Sequence, residues 1–200
     1  MAESIRTELV LPGSNRIGAK TVCQSEKDLL ELVRAGDKKA YQSIVLRYMK
    51  SAYYVALGFL HNQQDALDVS QDAFIRAYRK RQTFDTERPF FPWFYRILRN
   101  MCIDYVKKYR RKDEVPLEDI PILDTQEEDS EMKQAVWKGI RELPVIHREV
   151  IILRYFRQMS YQEIAEVTGK PMGTVMSSLY YAKKNLKGIL EKYYALNTEQ

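Results

Sequence analysis

A predicted helix near the carboxyl end of the chain carries small hydroxyl side chains and a lysine along one side. The polar side comprises Thr174, Ser177, Ser178, Tyr181 and Lys184. The opposite, apolar side comprises Met172, Val175, Leu179, Ala182 and Leu186. Hydroxyl groups bond to base edges and phosphates, and a lysine suits a phosphate. Since Lys183 and Lys187 flank the polar side, the pattern favours a nucleic-acid-binding face.

The residues before this helix predict a second, preceding helix and the turn that joins the two. Ser160 and Glu163 have the spacing of a capping box, which begins a helix. Gly169 supplies a turn, and Pro171 begins the next helix. Two short helices joined by such a turn form a helix-turn-helix, whose second helix enters the major groove of DNA. A helical hairpin that only packs is the alternative.

A second basic helix is predicted over residues 93–111, with Pro92 in its first turn. Its apolar stripe is Phe94, Ile97, Leu98, Met101, Cys102 and Tyr105. Its other side carries Arg96, Arg99, Asn100, Ile103, Lys107, Lys108 and Arg111. This side is either a solvated face or a nucleic-acid face. The aromatic loop 82–92 before it supports the second, since exposed aromatic rings can stack on unpaired bases, but the pattern alone leaves both open.

Charge is unevenly distributed along the 200 residues. The chain has 32 Lys and Arg against 27 Asp and Glu, a net charge of +5. Residues 26–112 carry +8, residues 113–131 carry −9 and residues 132–200 carry +5. Two basic units joined by an acidic linker suggest two polyanion-binding modules. The linker itself is either a solubilising tether or a segment that transiently mimics DNA.

Several classes of protein are excluded by what the sequence contains. It has no apolar run near the ~20 residues of a membrane span, and residues 1–13 do not resemble a secretory signal. Cys23 and Cys102 are too far apart for a CxxC motif, and His61 and His147 stand alone. We therefore expect no metal, no cofactor and reduced thiols in a cytoplasmic protein.

Helical periodicity dominates the remaining sequence, and β-type alternation is almost absent. Further helices are predicted over residues 26–36, 37–60, 62–81, 132–143 and 145–158. The predicted fold is all-α, with two small helical domains joined by the acidic linker. The helix-turn-helix lies in the second domain.

Four segments, in order, resemble an extracytoplasmic-function (ECF) sigma factor of bacterial RNA polymerase. They are LLELVRAGDKKAYQSIVLRY, DALDVSQDAFIRAYR, FFPWFYRILRNMCIDYVKKYRR and the segment from LPVIHREV to YYAKKNL. The resemblance covers residues 26–190. It implies sigma region 2 at residues 26–112, a linker at 113–131 and sigma region 4 at 132–200. Residues 1–25 exceed the usual start of the family, and we expect a flexible extension there, with a regulatory contact as the alternative.

The resemblance assigns roles to individual positions. Core polymerase, through its β′ clamp and β subunit, is expected to meet Asp68, Gln71, Asp72 and Arg76. Opening and reading of the promoter −10 element is expected from Phe90, Phe91, Trp93, Arg96, Arg99, Asn100 and Lys107. Burial in the core is the alternative for Trp93. Reading of the −35 element is expected from Thr174, Met176, Ser177, Ser178, Tyr181, Lys183 and Lys184.

The recognition helix departs from the family pattern. Met176, Ser177 and Ser178 stand where many members have a basic residue, a serine and an arginine, and Tyr181 replaces a later arginine. Fewer cations mean fewer contacts to phosphate or guanine, so we expect apolar contacts from Met176 or Tyr181.

The predicted protein is a sigma factor rather than an enzyme. Its expected partners are core polymerase, promoter DNA and an anti-sigma factor that could hold it at the membrane, with no small-molecule substrate. One alternative is a helix-turn-helix regulator that acts without polymerase. Another is a DNA enzyme such as a recombinase, although no carboxylate or histidine cluster accompanies a nucleophile.

Overall fold

The computed structural model describes the backbone of residues 25–109 and 130–197 and the side chains of residues 25–109 and 135–191. Within these residues the chain is helical and has no strand. The helices are α1 (Glu26–Ala35), α2 (Lys38–Leu60), α3 (Gln63–Arg79), α4 (Phe90–Tyr109), α5 (Ser130–Glu142), α6 (Val145–Ile151), α7 (Tyr161–Thr168) and α8 (Met172–Asn197). A 3-10 turn (Arg81–Thr83) follows α3, and a π-helical segment (Ile152–Phe156) continues α6. Residues 1–24 of the predicted N-terminal extension and almost all of the acidic linker lie outside the described residues.

Side-chain caps explain where the helices begin. Ser25 caps α1, Asp37 caps α2 and Asn62 caps α3, each through a side-chain oxygen that accepts from backbone N–H groups. Gly36 ends α1 at φ 101°, a left-handed conformation that glycine adopts without steric cost. These polar residues set the breaks between α1, α2 and α3 that the sequence predicts.

Helix α4 begins three residues earlier than its predicted start at residue 93. One reason is that the carboxylate of Glu26 accepts from the backbone N–H of Phe90 at 3.1 Å, satisfying a donor at the helix start. Pro92 remains in the first turn, as predicted. Phe94, Leu98 and Cys102 on the inner side of α4 have no exposed surface and pack with α2 and α3.

The carboxyl-terminal half folds around the helix-turn-helix. Ser160 and Glu163 form the predicted capping box at the start of α7, and Gly169 at φ 68° makes the turn into α8. Val175 and Leu179 hold α8 against the core. Met172 was predicted on this apolar stripe, but it is 53% exposed because it lies in the first turn of α8, where the helix projects beyond the core.

The two halves pack against each other through α2 and α4 on one side and α5, α6, the π segment and α7 on the other. The ring of Tyr54 stacks on Trp137 at 5.1 Å. The guanidinium of Arg157 lies over the Tyr48 and Phe91 rings, 4.8 and 4.4 Å from their centroids. Such cation–π contacts stabilise a partly desolvated cation. The described halves therefore share a continuous core.

Candidate DNA-binding and polymerase-binding surfaces

Helix α8 presents most of its predicted DNA-contacting residues to solvent. Met176, Ser177, Tyr181, Lys183 and Lys184 are exposed, and Thr174 is half-buried. The Ser177 hydroxyl donates to the Thr174 carbonyl at 3.1 Å within the same turn. This side of the helix is open at the position where a recognition helix meets base edges.

Ser178 does not belong to this open surface. It is 5% exposed because it lies three residues after Val175 and beside Leu179, on the side of α8 that faces the core. We therefore remove Ser178 from the expected −35 contacts. In its place the structure exposes Tyr180, at 64%, which was not predicted from the sequence. Its spacing of four residues from Met176 was the available signal.

Helix α4 presents its predicted DNA-contacting residues only in part. Asn100 and Lys107 are exposed. Arg96 is exposed too, and its Nη2 lies 3.4 Å from the backbone carbonyl of Glu166 in α7. Arg99 is 30% exposed and donates from Nε to Glu149 at 2.7 Å. Two of the α4 cations are thus engaged by the carboxyl-terminal half.

The aromatic residues before and within α4 belong to the core. Phe90 and Phe91 are each 2% exposed, since α4 already begins at residue 90 and turns both rings inward. Trp93 is half-buried, with its ring 5.0 Å from Phe84 and 5.8 Å from Phe90. In this arrangement Phe90 and Phe91 offer no surface to a base, so we remove both from the expected −10 contacts and keep Trp93.

A buried carboxylate joins the two halves. Glu149 accepts from the Tyr95 hydroxyl, from Arg99 at 2.7 Å and from Lys170 Nζ at 2.9 Å. Burial alone would raise the pKa of Glu149, but these three hydrogen bonds outweigh it and lower the pKa below its usual value. Glu149 is therefore ionised between two cations, one on α4 and one in the turn of the helix-turn-helix.

Beside it, Arg148 fills the same junction. Its guanidinium donates to the backbone carbonyls of Gly58 in α2 and of Ile140, Arg141 and Leu143 in the other half, at 2.6–3.1 Å. It also lies 2.7 Å from Nε2 of His61. Neither Arg148 nor Glu149 was singled out from sequence, because each is a polar interruption in the apolar pattern of residues 145–158.

Helix α3 carries the residues expected to bind polymerase on its outer side. Asp68, Asp72 and Arg76 are exposed and follow one another at four-residue intervals, and Gln71 beside them is half-buried. Side chains four residues apart lie one above another on a helix. Gln64 donates to Asp68 at 3.2 Å and extends the polar row by one turn. The four predicted residues therefore share one surface.

Among the residues that the structure describes, no three His, Cys, Asp or Glu side chains lie close enough together to bind a metal ion. Cys102 is buried, and burial raises the pKa of its thiol to about 12. A thiol with so high a pKa is a poor nucleophile. Cys23 lies outside the described residues.

No helix in the described ranges has the length and apolarity needed to span a membrane.

Comparison with known proteins places this arrangement in a family. Residues 44–112 match Sigma-70 region 2, and residues 133–186 match Sigma-70, region 4. The RNA polymerase sigma-H factor of Pseudomonas aeruginosa is 31% identical over 183 residues, covering 84% of this chain and 95% of that protein. The ECF RNA polymerase sigma factor SigW of Bacillus subtilis is 31% identical over 179 residues, covering 80% and 94%.

The chain belongs to the ECF sigma factors. Matches in both conserved regions, in order, confirm the family that the sequence resembles. As an alternative sigma factor it directs promoter-specific transcription. The regulator without sigma function is not favoured, because that hypothesis leaves the match to region 2 unexplained. Members of this family are in general not enzymes.

Solved structures agree with the fold of this sigma factor. CnrH in complex with the cytosolic domain of CnrY superposes with a TM-score of 0.67 at 25% identity, covering 84% of this chain and 99% of that one. The sigma factor RpoE from Bartonella quintana, in complex with the anti-sigma factor NepR, gives a TM-score of 0.65 at 24% identity, covering 76% and 98%. The all-α fold and the helix-turn-helix are thereby confirmed.

Proposed function

We propose that this sigma factor divides its work among three helices. Helix α3 docks on core RNA polymerase, α4 opens and reads the −10 element, and α8 reads the −35 element as duplex. The observation that carries the proposal is that each helix buries one side in the core and exposes a different polar side. We assign residues 26–112 to region 2 and residues 132–200 to region 4.

Docking on polymerase is supported by the chemistry of the α3 surface. Asp68 and Asp72 place two carboxylates one helical turn apart, and Arg76 adds a cation one turn further. This row complements a partner helix that carries basic residues and then an acidic one. We propose the β′ clamp and the β subunit as that partner.

Capture of −10 DNA is supported by the exposed end of α4. The Asn100 amide both donates and accepts hydrogen bonds, which suits the edge of an unpaired base. Lys107 lies about two turns further along the exposed side, where a phosphate can follow. Trp93 is the accessible ring that can cover a flipped base. Arg96 and Arg99 join this surface only when their contacts with the carboxyl-terminal half break.

Masking by an anti-sigma factor is also proposed. The solved relatives CnrH and RpoE are each in complex with a second protein, and NepR, the partner of RpoE, is an anti-sigma factor. A similar partner of this chain would cover the α3 and α8 surfaces, which are exposed here. We place the sigma factor in the cytoplasm, where such a partner could hold it at the membrane.

The experiment combines core polymerase, the full chain and a promoter selected by run-off transcription from a random library. The Asp68→Ala, Asp72→Ala double variant should lose binding to core polymerase, while Glu31→Ala on the exposed side of α1 should keep it. Asn100→Ala should bind core polymerase normally but form fewer open complexes, measured by permanganate reactivity of the −10 thymines.

Two results would overturn the proposal. If the wild-type chain produced no promoter-dependent transcript with core polymerase, all three assignments of α3, α4 and α8 would be wrong. Equal loss of core binding and promoter opening in Asn100→Ala would remove the base-capture role of α4 and leave the other two assignments standing.

A further inference from the structure

The first turns of α8 expose an unusual amount of apolar surface. Met172, Met176 and Tyr180 are 53%, 49% and 64% exposed, and Tyr181 beside them is 52% exposed. These four are among only nine large apolar side chains that are exposed in the described part of the chain. Exposed apolar residues concentrated in one place mark an interaction site more often than residues scattered singly. We call Met172, Met176 and Tyr180 the methionine–tyrosine stripe.

The stripe is continuous and open. Its members are four residues apart, so they lie one above another along one side of the helix. A Cβ atom built at Gly173, or at Gly169 in the preceding turn, would meet no atom within 4 Å. Val175, Leu179 and Ala182, on the adjacent side of α8, anchor the helix in the core. The stripe is therefore not needed to hold the helix in place.

The charges around the stripe indicate a polyanion as its partner. No Asp or Glu occurs from residue 167 to residue 190, whereas Lys183, Lys184 and Lys187 follow the stripe on α8. An apolar surface next to lysines and without carboxylates matches the major groove, where phosphates border the base edges. The same lysines would repel a cationic peptide.

The composition of α8 also limits which bases it can read. It contains no arginine, the side chain that most often reads guanine by a bidentate contact, and Lys170 is held by Glu149. The C5-methyl group of thymine is the one apolar group that the major groove displays. Eight residues of helix rise about 12 Å, the length of three to four base pairs.

We propose that the methionine–tyrosine stripe reads the −35 element through thymine methyl groups. This inference rests on the proposed role of α8 in −35 recognition and adds what that helix recognises: a run of one or more thymines on either strand, contacted by apolar side chains rather than by guanidinium groups. Met172 and Met176, nearest the helix start, meet base edges first.

The test replaces thymine by deoxyuracil, which lacks only the methyl group. Holoenzyme is assembled from core polymerase and the full chain, and its affinity is measured for the selected promoter with uracil at each −35 thymine in turn. Affinity should fall about fourfold at each contacted thymine, since burying one methyl group contributes about 0.8 kcal/mol. Uracil placed in the spacer should have no effect.

Variants connect the effect to the stripe. Met176→Gln should bind thymine and uracil equally at one position, whereas Met176→Leu should keep the discrimination because it keeps an apolar side chain. Leu46→Gln is the matched control, since Leu46 is 62% exposed on α2, away from α8. Each side chain is exposed, so none of these changes disturbs the core.

The outcomes separate this inference from the function on which it rests. Wild-type holoenzyme that protects the −35 element and binds thymine and uracil equally at every position would overturn the methyl readout alone. Loss of discrimination in Met176→Leu would overturn the role of apolar contact. Holoenzyme that leaves the −35 duplex unprotected would overturn the assignment of α8 itself, and the inference with it.

Discussion

The two helices that carry the predicted DNA contacts differ in what surrounds them. On α4, Arg99 is bound to the buried Glu149 and Arg96 lies against a carbonyl of α7. On α8, the equivalent outer side is open from Met172 to Lys184. Two cations of α4 are thus bound by the carboxyl-terminal half, whereas the outer side of α8 is accessible.

This difference follows from where Glu149 lies. Its carboxylate takes hydrogen bonds from Arg99 on α4 and Lys170 in the helix-turn-helix, as a phosphate would. Arg99 can therefore meet DNA only after the two halves have moved apart at this junction. The stripe and Lys184 on α8 need no such movement. The contacts at the junction accordingly set how readily Arg99 on α4 becomes available.

The largest predicted effect comes from removing the charge of Glu149. Glu149→Gln should lower the free energy of unfolding by about 3 kcal/mol, because breaking a buried ion pair leaves its cations without their partner. Partial exposure of Arg99 and Lys170 keeps the loss at the low end of the usual range. Urea denaturation measures it, and binding of the free chain to a single-stranded −10 oligonucleotide should increase in parallel.

Glu166→Gln is the control for this change. Its side chain is exposed, and only its backbone carbonyl contacts Arg96. It should leave both stability and oligonucleotide binding near the wild-type values. Equal oligonucleotide binding by wild-type and Glu149→Gln chains would show that the carboxylate does not restrain α4.

Lowering the pH should reduce the difference in the free energy of unfolding between the wild-type chain and Glu149→Gln. The pKa of Glu149 is lowered in the folded chain, so its contribution to stability is present above the unfolded pKa of about 4.3 and is lost as the pH falls through the folded value. Unfolding measured from pH 6 down to about pH 3 should show the two curves converging. A constant gap over that range would contradict the lowered pKa.

A smaller loss of stability is expected from Gly58→Ala, where α2 packs against the π-helical segment. A Cβ atom at Gly58 would lie 2.1 Å from Cδ1 of Ile152, so Gly58→Ala forces that buried side chain to move. The clash should cost roughly 1 kcal/mol after the better helix propensity of alanine is counted. Thermal unfolding measures this loss of stability.

A second substitution isolates the clash. Ile152→Val removes Cδ1, so Gly58→Ala should cost nothing in that background. Gly188→Ala in α8, where an added Cβ meets no atom within 4 Å, should stabilise the chain instead. An unchanged cost of Gly58→Ala in the Ile152→Val background would mean that the strain lies elsewhere.

Local signals in the sequence were sufficient to predict most of the helices. Ser160, Glu163 and Gly169 act within a few residues of their own position, so their roles at the start and end of α7 could be derived from spacing. The residues of the recognition helix were likewise assigned by helical periodicity. That method placed Met172 inward, because a periodic pattern does not reveal where the core ends.

Contacts across the junction could not be predicted in this way. Glu149 meets Arg99 fifty residues earlier in the chain, and the acidic linker that separates the two helices has no pattern that brings them together. Similarly, Phe90 and Phe91 were expected to be exposed because the sequence placed them in the loop 82–92. Their burial depends on Glu26, 64 residues away, which helps α4 begin at residue 90.

The smallest predicted effect concerns a single cation on the open surface. Lys184 is exposed on α8, on the same side as the predicted phosphate contacts. Lys184→Ala should weaken holoenzyme binding to all promoters alike and reduce the slope of log affinity against log salt by about one unit, because one counterion fewer is released. Lys38→Ala at the start of α2 should leave the slope unchanged. A Lys184→Ala slope equal to that of wild type would remove Lys184 from the DNA interface, and the open surface of α8 would then be confined to the stripe and its neighbours.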